Sequence, residues 1–331
     1  TKLVACVSGG QIYTSTDSGA SWTARDSARN WSAVASSSDG TKLVAVVYGD
    51  QIYTSTDSGA SWTARDSARN WSAVASSSDG TKLVAVANGD QIYTSTDSGA
   101  TWTARESSRS WVAVASSSDG VKLLASTATG HLYTSTDSGA TWTARESSRS
   151  WGAVASSADG TKLYAMLAGG GGQIYTSTDS GINWTARSIT GQWADIACSA
   201  DGLKLLGADQ NGYLYTSRDA GVTWVQRESS RYWRGVAMAS DASLLIATGS
   251  GTNIYTSGSE ASEVDQWQFA GIITRDANAA STAAKVVPGA YTGLTTWTFA
   301  VAENTTTGAL ELTFTGENGK TIAVAAEIIW L

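Results

Sequence analysis

The sequence has almost no histidine, proline or cysteine: one His, one Pro and two Cys in 331 residues. Because His131 is the single histidine, a histidine-based catalytic triad and a metal site built from several histidines are both excluded. We expect His131 to be a surface residue in a loop. Cys6 and Cys198 fall on predicted strands of distant repeats, and a disulfide requires a short Cα separation. We therefore expect two free, buried thiols that act as small apolar side chains.

Charge is also scarce, since charged residues make up only 15% of the chain and the net charge is −7. A chain of this sign has no basic field that would attract nucleic acid or an anionic membrane surface. No apolar run approaches the roughly 20 residues of a membrane-spanning helix. The first residues do not have the pattern of a signal peptide. We therefore expect neither a nucleic-acid partner nor insertion into a membrane.

Tryptophan, in contrast, is abundant, and much of it belongs to a repeated stretch. The stretch reads Tyr53-Thr-Ser-Thr-Asp-Ser-Gly-Ala-Ser-Trp62 and recurs with the form Ser-x-Asp-x-Gly-x-x-Trp. Asp in a turn can hydrogen-bond to its own backbone, and Gly adopts a positive φ at little cost. We predict a β-hairpin corner that the Asp carboxylate caps, in preference to a calcium site, with a buried closing tryptophan such as Trp102. The structural positions are Ser15, Asp17, Gly19, Trp22, Ser55, Asp57, Gly59, Trp62, Ser95, Asp97, Gly99, Trp102, Ser135, Asp137, Gly139, Trp142, Ser177, Asp179, Gly181, Trp184, Ser217, Asp219, Gly221 and Trp224.

The stretch recurs about every 40 residues, and residues 1–160 form four units that align without gaps. Each unit has four short apolar runs separated by turn residues, which is the pattern of β-strands. A period near 40 with four strands per unit is typical of a β-propeller. We predict an all-β protein with a seven-bladed propeller over residues 1–257. The seven Tyr-Thr-Ser strands that give this number begin at Tyr13, Tyr53, Tyr93, Tyr133, Tyr175, Tyr215 and Tyr255.

The first predicted blade lacks its innermost strand, because the chain opens at Thr1, where that strand would just have ended. An open ring would leave unpaired strand edges, which proteins normally avoid. Two explanations stay open. A segment before Thr1 supplies the strand, which we favour, or Trp297-Thr-Phe-Ala-Val-Ala302 closes the ring from the C-terminal side.

The composition changes after Ser257. Residues 258–265 are small and acidic and predict a linker, whereas residues 266–331 predict a small, sandwich-like antiparallel β domain. A domain of this length can bury only a small hydrophobic core. Its last predicted strand is apolar up to the final residue, and an exposed strand edge of this kind can pair with another chain. We expect it to dock or self-associate. The four predicted strands are residues 267–275, 297–302, 309–314 and 321–331.

The repeated stretch resembles the Asp-box, or BNR repeat, of sialidases, sortilin-type receptors and photosystem assembly factors. This resemblance implies a propeller, in families whose functions differ. The segments Trp267-Gln-Phe-Ala-Gly-Ile-Ile273 and Gly308-Ala-Leu-Glu-Leu-Thr-Phe-Thr-Gly-Glu-Asn-Gly-Lys-Thr-Ile322 resemble a small β domain of phage tail and virion structural proteins. The second resemblance covers the C-terminal fifth of the chain and implies a virion context.

The distribution of arginines argues against an enzyme. A sialidase would need an arginine triad, a Tyr–Glu nucleophile pair and an acidic Asp in one pocket. Here the arginines stand at the same places in near-identical repeats, whereas catalysis needs unlike groups brought together. No segment stands out as a break in this symmetry that would carry a nucleophile. We therefore expect no enzymatic activity, no cofactor and no metal.

Two sets of predicted loops share one face of a propeller. One is Arg65-Asp-Ser-Ala-Arg-Asn-Trp71 with its copies, and the other is the variable turn between the second and third strands of each unit. The arginines can engage acidic sugars or carboxylates through paired hydrogen bonds. The alternative, which we favour, pairs Arg65 with Asp66, or Arg105 with Glu106, in solvated loops. The candidate binding face is Arg65, Arg69, Arg105, Arg109, Arg145, Arg149, Tyr48 and Asn88.

These features predict a non-enzymatic, adhesin-like protein of the virion surface, with a structural or receptor-binding role. The propeller would project outward, with a host-surface glycan as a possible ligand. The C-terminal domain would contact other virion or surface proteins or form a homo-oligomer. The predicted location is the virion surface or the extracellular space. Two alternatives remain: a secreted bacterial surface lectin or adhesion protein, and an assembly factor of the photosystem-assembly propeller type.

Overall fold

The computed structural model describes residues 1–250 and 254–258 and, further along, the backbone of residues 298–303, 310–315 and 321–326. It divides the chain into two units, Thr1–Trp267 and Gln268–Leu331. Within the described residues every regular element is a β-strand. The described part of the protein is therefore all-β. Most of the predicted linker and the predicted strand 267–275 lie outside the described residues.

The first unit is a series of antiparallel sheets, seven among its described residues, which we number in chain order. Long strands pass from one sheet into the next: the first half of β3 (Thr23–Ser36) pairs with β2, and its second half pairs with β4. β5 (Thr63–Ser76) and β7 (Thr103–Ser116) do the same. β4 (Leu43–Ser55) and β6 (Leu83–Ser95) each cover the two middle strands of one sheet.

The strands divide among the sheets as follows. Sheet 1 contains β1 (Leu3–Cys6), β2 (Ser8–Ser15) and the start of β3; sheet 2 contains the end of β3, β4 and the start of β5; sheet 3 contains the end of β5, β6 and the start of β7. Sheet 4 contains the end of β7, β8 (Leu123–Thr127), β9 (Gly130–Ser135) and β10 (Thr143–Arg149). Sheet 5 contains β11 (Trp151–Ser156), β12 (Leu163–Leu167), β13 (Gly172–Ser177) and β14 (Thr185–Gly191). Sheet 6 contains β15 (Trp193–Cys198), β16 (Leu205–Asp209), β17 (Leu214–Ser217) and β18 (Val225–Arg227), and sheet 7 contains β19 (Trp233–Met238), β20 (Leu244–Gly249) and β21 (Ile254–Gly258).

The second unit contains a three-stranded antiparallel sheet. Its strand order is β22 (Thr298–Glu303), β23 (Leu310–Thr315) and β24 (Thr321–Ala326). β22, which the sequence offers as a strand to close the ring of blades, is paired here with β23.

The core lies between consecutive sheets and is centred on the tryptophan that opens each inner strand. Trp71 is fully buried, and its ring meets the Tyr93 ring edge-on at 5.1 Å. Val46 of sheet 2 packs into the same cluster. Such pairs of bulky rings remove a large apolar area from water, which is the main favourable term in folding. The opening tryptophans therefore join each sheet to its predecessor.

The tryptophans that close the repeated turns are less buried than the sequence suggests. Trp102, expected to be buried, is only half-buried and packs at the edge of the cluster around Trp71. Its indole N–H donates to the carbonyl of Gly99 at 3.1 Å. Trp102 lies directly before the outermost strand of its sheet, where no further strand covers it. It therefore fastens the turn and contributes less to the core than Trp71.

The glycine of each repeated turn lies against the preceding sheet. Gly99 has a φ of +84°, and a Cβ added there would lie only 2.7 Å from the Cγ2 of Thr54 in sheet 2. The contact needs glycine both for its positive φ and for the close approach. The same contact occurs between Gly19 of sheet 1 and Thr256 of sheet 7, where the added Cβ would lie 3.1 Å away. Sheet 1 therefore packs against sheet 7 as each later sheet packs against its predecessor.

Backbone hydrogen bonds also link the sheets, at the turns between their first two strands. The N–H of Ser38 donates to the carbonyl of Ser78 at 2.8 Å, and the N–H of Ser78 donates to Ser118 at 2.7 Å. The series continues through Ala158 and ends at Ser240 of sheet 7. Each bond pairs a backbone donor of one turn with a backbone acceptor of the next. The sheets are thus fixed to one another by backbone as well as by side chains.

Candidate functional site

The repeated turn is a closed network of hydrogen bonds. The Ser55 hydroxyl donates to the Asp57 carboxylate at 2.7 Å and accepts from the N–H of Gly59 at 2.9 Å. The same carboxylate oxygen also accepts from the backbone N–H of Ser61, and the other oxygen accepts from the Ser61 hydroxyl. These donors, with the Ser61 hydroxyl first, lower the pKa of Asp57 to about 2. The carboxylate is therefore engaged within its own turn.

The predicted loop 65–71 is in fact part of the continuous strand β5. A bulge makes this possible: Ile52 pairs with Arg65, and Asp50 pairs with Arg69 two residues earlier on β4, so extra residues are accommodated on β5. Asp66 adopts a φ of 53° within the bulge, and the Gln51 side chain donates to its carbonyl at 2.8 Å. The arginines thus stand on a strand, whose geometry fixes them more firmly than a loop would.

The arginines at the start of each bulge are bonded inward. Arg65 donates through Nε to the Thr54 hydroxyl at 3.1 Å and not to Asp66, its expected partner. Arg105 likewise donates to Thr94 at 3.0 Å and not to Glu106. Arg145 donates in the same way to its own repeat's threonine, Thr134. The acidic residues pair instead with arginines three positions later: Asp66 with Arg69 at 3.7 Å, Glu106 with Arg109 at 3.1 Å and Glu146 with Arg149 at 3.6 Å.

The second arginine of each bulge stacks on a tyrosine. The guanidinium of Arg69 lies 4.3 Å from the centre of the Tyr93 ring and also meets the Asp90 carboxylate at 3.1 Å. Stacking of this kind contributes about 0.5–2 kcal/mol. Arg109 and Arg149 stack on Tyr133 and Tyr175 at 4.7 and 5.1 Å. These candidate arginines are therefore occupied by contacts that hold the repeats together.

The two halves of the candidate binding face do lie together. Tyr48 pairs in register with Asn70, and Asn88 pairs with Ser110, so each variable turn borders the end of a bulge. Tyr48 is exposed over 56% of its surface. Tyr48 and Asn88 are both exposed, whereas Arg69 and Arg109 are half-buried and Arg149 is exposed.

His131 and the two cysteines lie within strands of the propeller sheets. His131 lies on β9, not in a loop, and its Nδ1 approaches the carbonyl of Glu146 at 2.6 Å, the contact that Gln91 makes with Glu106 one repeat earlier. Cys6 and Cys198 are free and half-buried. Burial raises the pKa of the Cys6 thiol to about 11 and that of Cys198 to about 12.

In the part of the chain that the structure describes, no helix is long and apolar enough to cross a membrane. Within the same residues, no three side chains of His, Cys, Asp or Glu come together as a metal-binding group.

Sheet 6 departs from the repeat. Gly191, at the end of β14, stands where Arg69 stands on β5, two residues before the opening tryptophan of the next sheet. Asp209 of sheet 6 stands where Ala87 stands in sheet 3, opposite that tryptophan. The sequence analysis missed this break in symmetry. An alignment by fixed distance from each opening tryptophan would have revealed it.

A second departure places a carboxylate beside the inner strands. Asp195 replaces the alanine of the earlier repeats and accepts hydrogen bonds from its neighbour Ile196 at 2.9 Å and from Val236 of sheet 7 at 3.0 Å. Burial raises its pKa to about 6, although the two backbone N–H groups oppose this shift. Asp195 thus links sheets 6 and 7.

The lowered pKa of the turn carboxylates predicts acid sensitivity. The pKa of Asp57 is about 2 in the folded chain, whereas an unfolded Asp titrates near pH 4, so this carboxylate stabilises the fold above about pH 4. Its contribution is lost as the pH falls from about 4 to 2. In urea unfolding followed by circular dichroism, Asp57→Asn should lose less stability over this range than the parent chain. Thr56→Ala, an exposed and uncharged change in the same turn, is the control. If Asp57→Asn lost as much stability as the parent chain between about pH 4 and pH 2, the prediction would be contradicted.

The fold has counterparts among solved structures, although no protein-family model and no curated protein sequence matches the chain. YCF48 from Cyanidioschyzon merolae is 19% identical over 73% of this chain and 86% of its own, with a TM-score of 0.58. YCF48 bound to a D1 peptide is 18% identical over 73% and 84%, with the same TM-score. The GH74 enzyme of Niastella koreensis is 16% identical over 96% of this chain and 63% of its own, with a TM-score of 0.65. The β-propeller domain of Myceliophteria thermophila Cps50 (Swd1) is 14% identical over 75% and 90%, with a TM-score of 0.57. At these identities the likeness concerns the fold alone, and that fold is a β-propeller.

Proposed function

We propose that this protein is a non-enzymatic binding scaffold built on a closed, seven-bladed propeller of the Asp-box type. Seven sheets among the described residues of the first unit support the number of blades. The contact between Gly19 and Thr256 supports closure, because it repeats between the first and last sheets the contact that Gly99 makes with Thr54.

The main support for the proposal is that the repeated polar side chains make hydrogen bonds or stacking contacts within the fold. The turn carboxylates bond to their own turns, and the arginines bond to threonines or stack on tyrosines. Catalysis needs unlike groups free to act on one substrate. Side chains engaged in this way instead stabilise the repeats, and the solvent-exposed turns remain accessible to a binding partner.

The fold itself serves more than one purpose, so function has to be argued from side chains. One of the similar structures holds a bound peptide, and others are a GH74 enzyme and a GH74 xyloglucanase. A non-enzymatic role agrees with the inward-bonded side chains of this chain. The hypotheses of a secreted lectin and of an assembly factor remain alternatives within the same class of binding proteins.

The first test is hydrolysis. The purified full chain, incubated with sialosides and with xyloglucan oligosaccharides, should release no sugar above a boiled control, measured by chromatography of the products. Turnover that disappears on replacing one side chain would contradict the proposal.

We further propose that the C-terminal unit docks the propeller onto a virion or another surface, or joins copies of the chain. Among the described residues, β22 and β24 form the edges of the three-stranded sheet, and edge strands in general can pair with other chains. Self-association through such edges commonly yields symmetric homo-oligomers. The virion context rests on the sequence resemblance of this part of the chain.

The docking role is tested by shortening the chain. A version ending at Trp267 keeps the whole first unit. It should be monomeric in light scattering, whereas the full chain should associate with itself or with purified particles. Equal masses and equal attachment of both versions would show that the C-terminal unit has no docking role.

A further inference from the structure

The turn of sheet 6 is chemically different from its counterparts. Gln210 takes the position of Asn88 in sheet 3, and Asn211 takes the position of Gly89. Gln192 directly precedes the opening tryptophan Trp193. Three side-chain amides are thus collected at this turn, where sheet 3 has two, Asn70 and Asn88, beside a glycine.

Asp209 holds this turn in place. Its carboxylate accepts from the backbone N–H groups of Gln192 at 3.3 Å and Asn211 at 3.2 Å. Neighbouring glycines make room for it, since a Cβ on Gly191 would lie 3.0 Å, and one on Gly212 2.7 Å, from the same carboxylate oxygen. The amides are therefore carried by a preorganised backbone, which reduces the ordering cost of binding.

The amides are linked to one another and to sheet 7. The Asn211 side chain donates to the Gln192 side-chain carbonyl, and the Gln210 amide donates to the Tyr232 hydroxyl at 2.7 Å. Among the described residues, no partner is found for the Gln192 amide nitrogen or for the side-chain oxygens of Gln210 and Asn211. One donor and two acceptors are thus available to a ligand.

Tyr232 supplies an aromatic surface beside the amides. It is exposed over 42% of its surface, and the guanidinium of Arg234 lies 4.6 Å from the centre of its ring. A phenol ring offers an apolar surface together with a polar hydroxyl. The Tyr232 hydroxyl lies next to Gln210 and adds a further hydrogen-bonding group to the three amides.

We infer that Gln192, Gln210, Asn211 and Tyr232 form a binding site for the uncharged sugar units of a glycan. The inference rests on the proposed function, because it gives the binding scaffold a ligand class. Sugar hydroxyls both donate and accept, as side-chain amides do, and the apolar face of a sugar packs on an aromatic ring. Neither charge sign dominates the site, since Asp209 and Arg234 both border it.

An extended peptide is the less suitable ligand. Peptides commonly bind by adding a strand to a free sheet edge. β16 and β17, which flank the turn, are inner strands paired on both sides. The turn therefore offers side-chain groups to a ligand and no free backbone edge.

The test measures binding of defined probes to the full chain by isothermal titration calorimetry. The neutral probes are cellohexaose, maltohexaose and chitohexaose; the others are 3′-sialyllactose and an unstructured decapeptide of Ser, Gly and Asn. At least one neutral oligosaccharide should bind, and Tyr232→Ala and Gln210→Ala should each weaken it by about 10-fold, the effect of roughly 1.4 kcal/mol.

The controls use exposed residues of the repeated turns, which lie at the other end of the strands from the variable turns. Val222→Ala, in the repeated turn of sheet 6, and Thr56→Ala, in that of sheet 2, should leave binding unchanged. Circular dichroism should show that all four variants are folded. The inference is overturned if no neutral sugar binds, or if the controls weaken binding as much as the site variants.

Binding of sialyllactose or the peptide alone, lost in Tyr232→Ala, would also overturn the inference while leaving the binding scaffold intact. Release of shortened sugars during the titration would instead defeat the proposed non-enzymatic function.

Discussion

The structure depends on one close contact, made where the glycine of a repeated turn meets a threonine of the preceding sheet. Gly99 can approach Thr54 so closely only because it has no side chain and adopts a positive φ. The Ser95 hydroxyl and the Asp97 carboxylate hold that conformation by bonding to the turn's own N–H groups. The turn thus fixes the spacing of two sheets, and the opening tryptophan fills the space that this spacing leaves.

This construction also explains how the abundant arginines and aspartates are used within the fold. A side chain that recurs in every repeat meets the same neighbours each time, as Arg69 meets Tyr93 and Arg109 meets Tyr133. Such residues are selected by the packing of the repeat. Residues that break the pattern, such as Gln210, have no equivalent packing role, and this is why we place the proposed ligand there.

Much of the fold could be predicted from the sequence, because the 40-residue period and the turn residues are local signals. The strands and the carboxylate that caps its turn follow from them. The bulge at Asp66 could not be predicted, since no glycine marks its positive φ and its cap, Gln51, comes from another strand. The partners of Arg69 and the exposure of Trp102 depend on neighbouring strands and on the sheet edge. The residues by which sheet 6 departs from the repeat can be identified from the sequence, but only when the repeats are aligned on their opening tryptophans.

The central claim is that the turn glycine sets the distance between sheets, and a double-mutant cycle tests it most directly. Gly99→Ala and Gly89→Ala both place a side chain at positive φ, but only the first meets the neighbouring sheet. In urea unfolding, Gly99→Ala should cost more than Gly89→Ala by roughly 1–3 kcal/mol, the usual cost of overpacking. Thr54→Ser removes the methyl group that the new Cβ would strike at 2.7 Å, so most of this excess should disappear in the Thr54→Ser background, the 3.2 Å contact with Leu83 being left. An excess that is unchanged in that background would contradict the account.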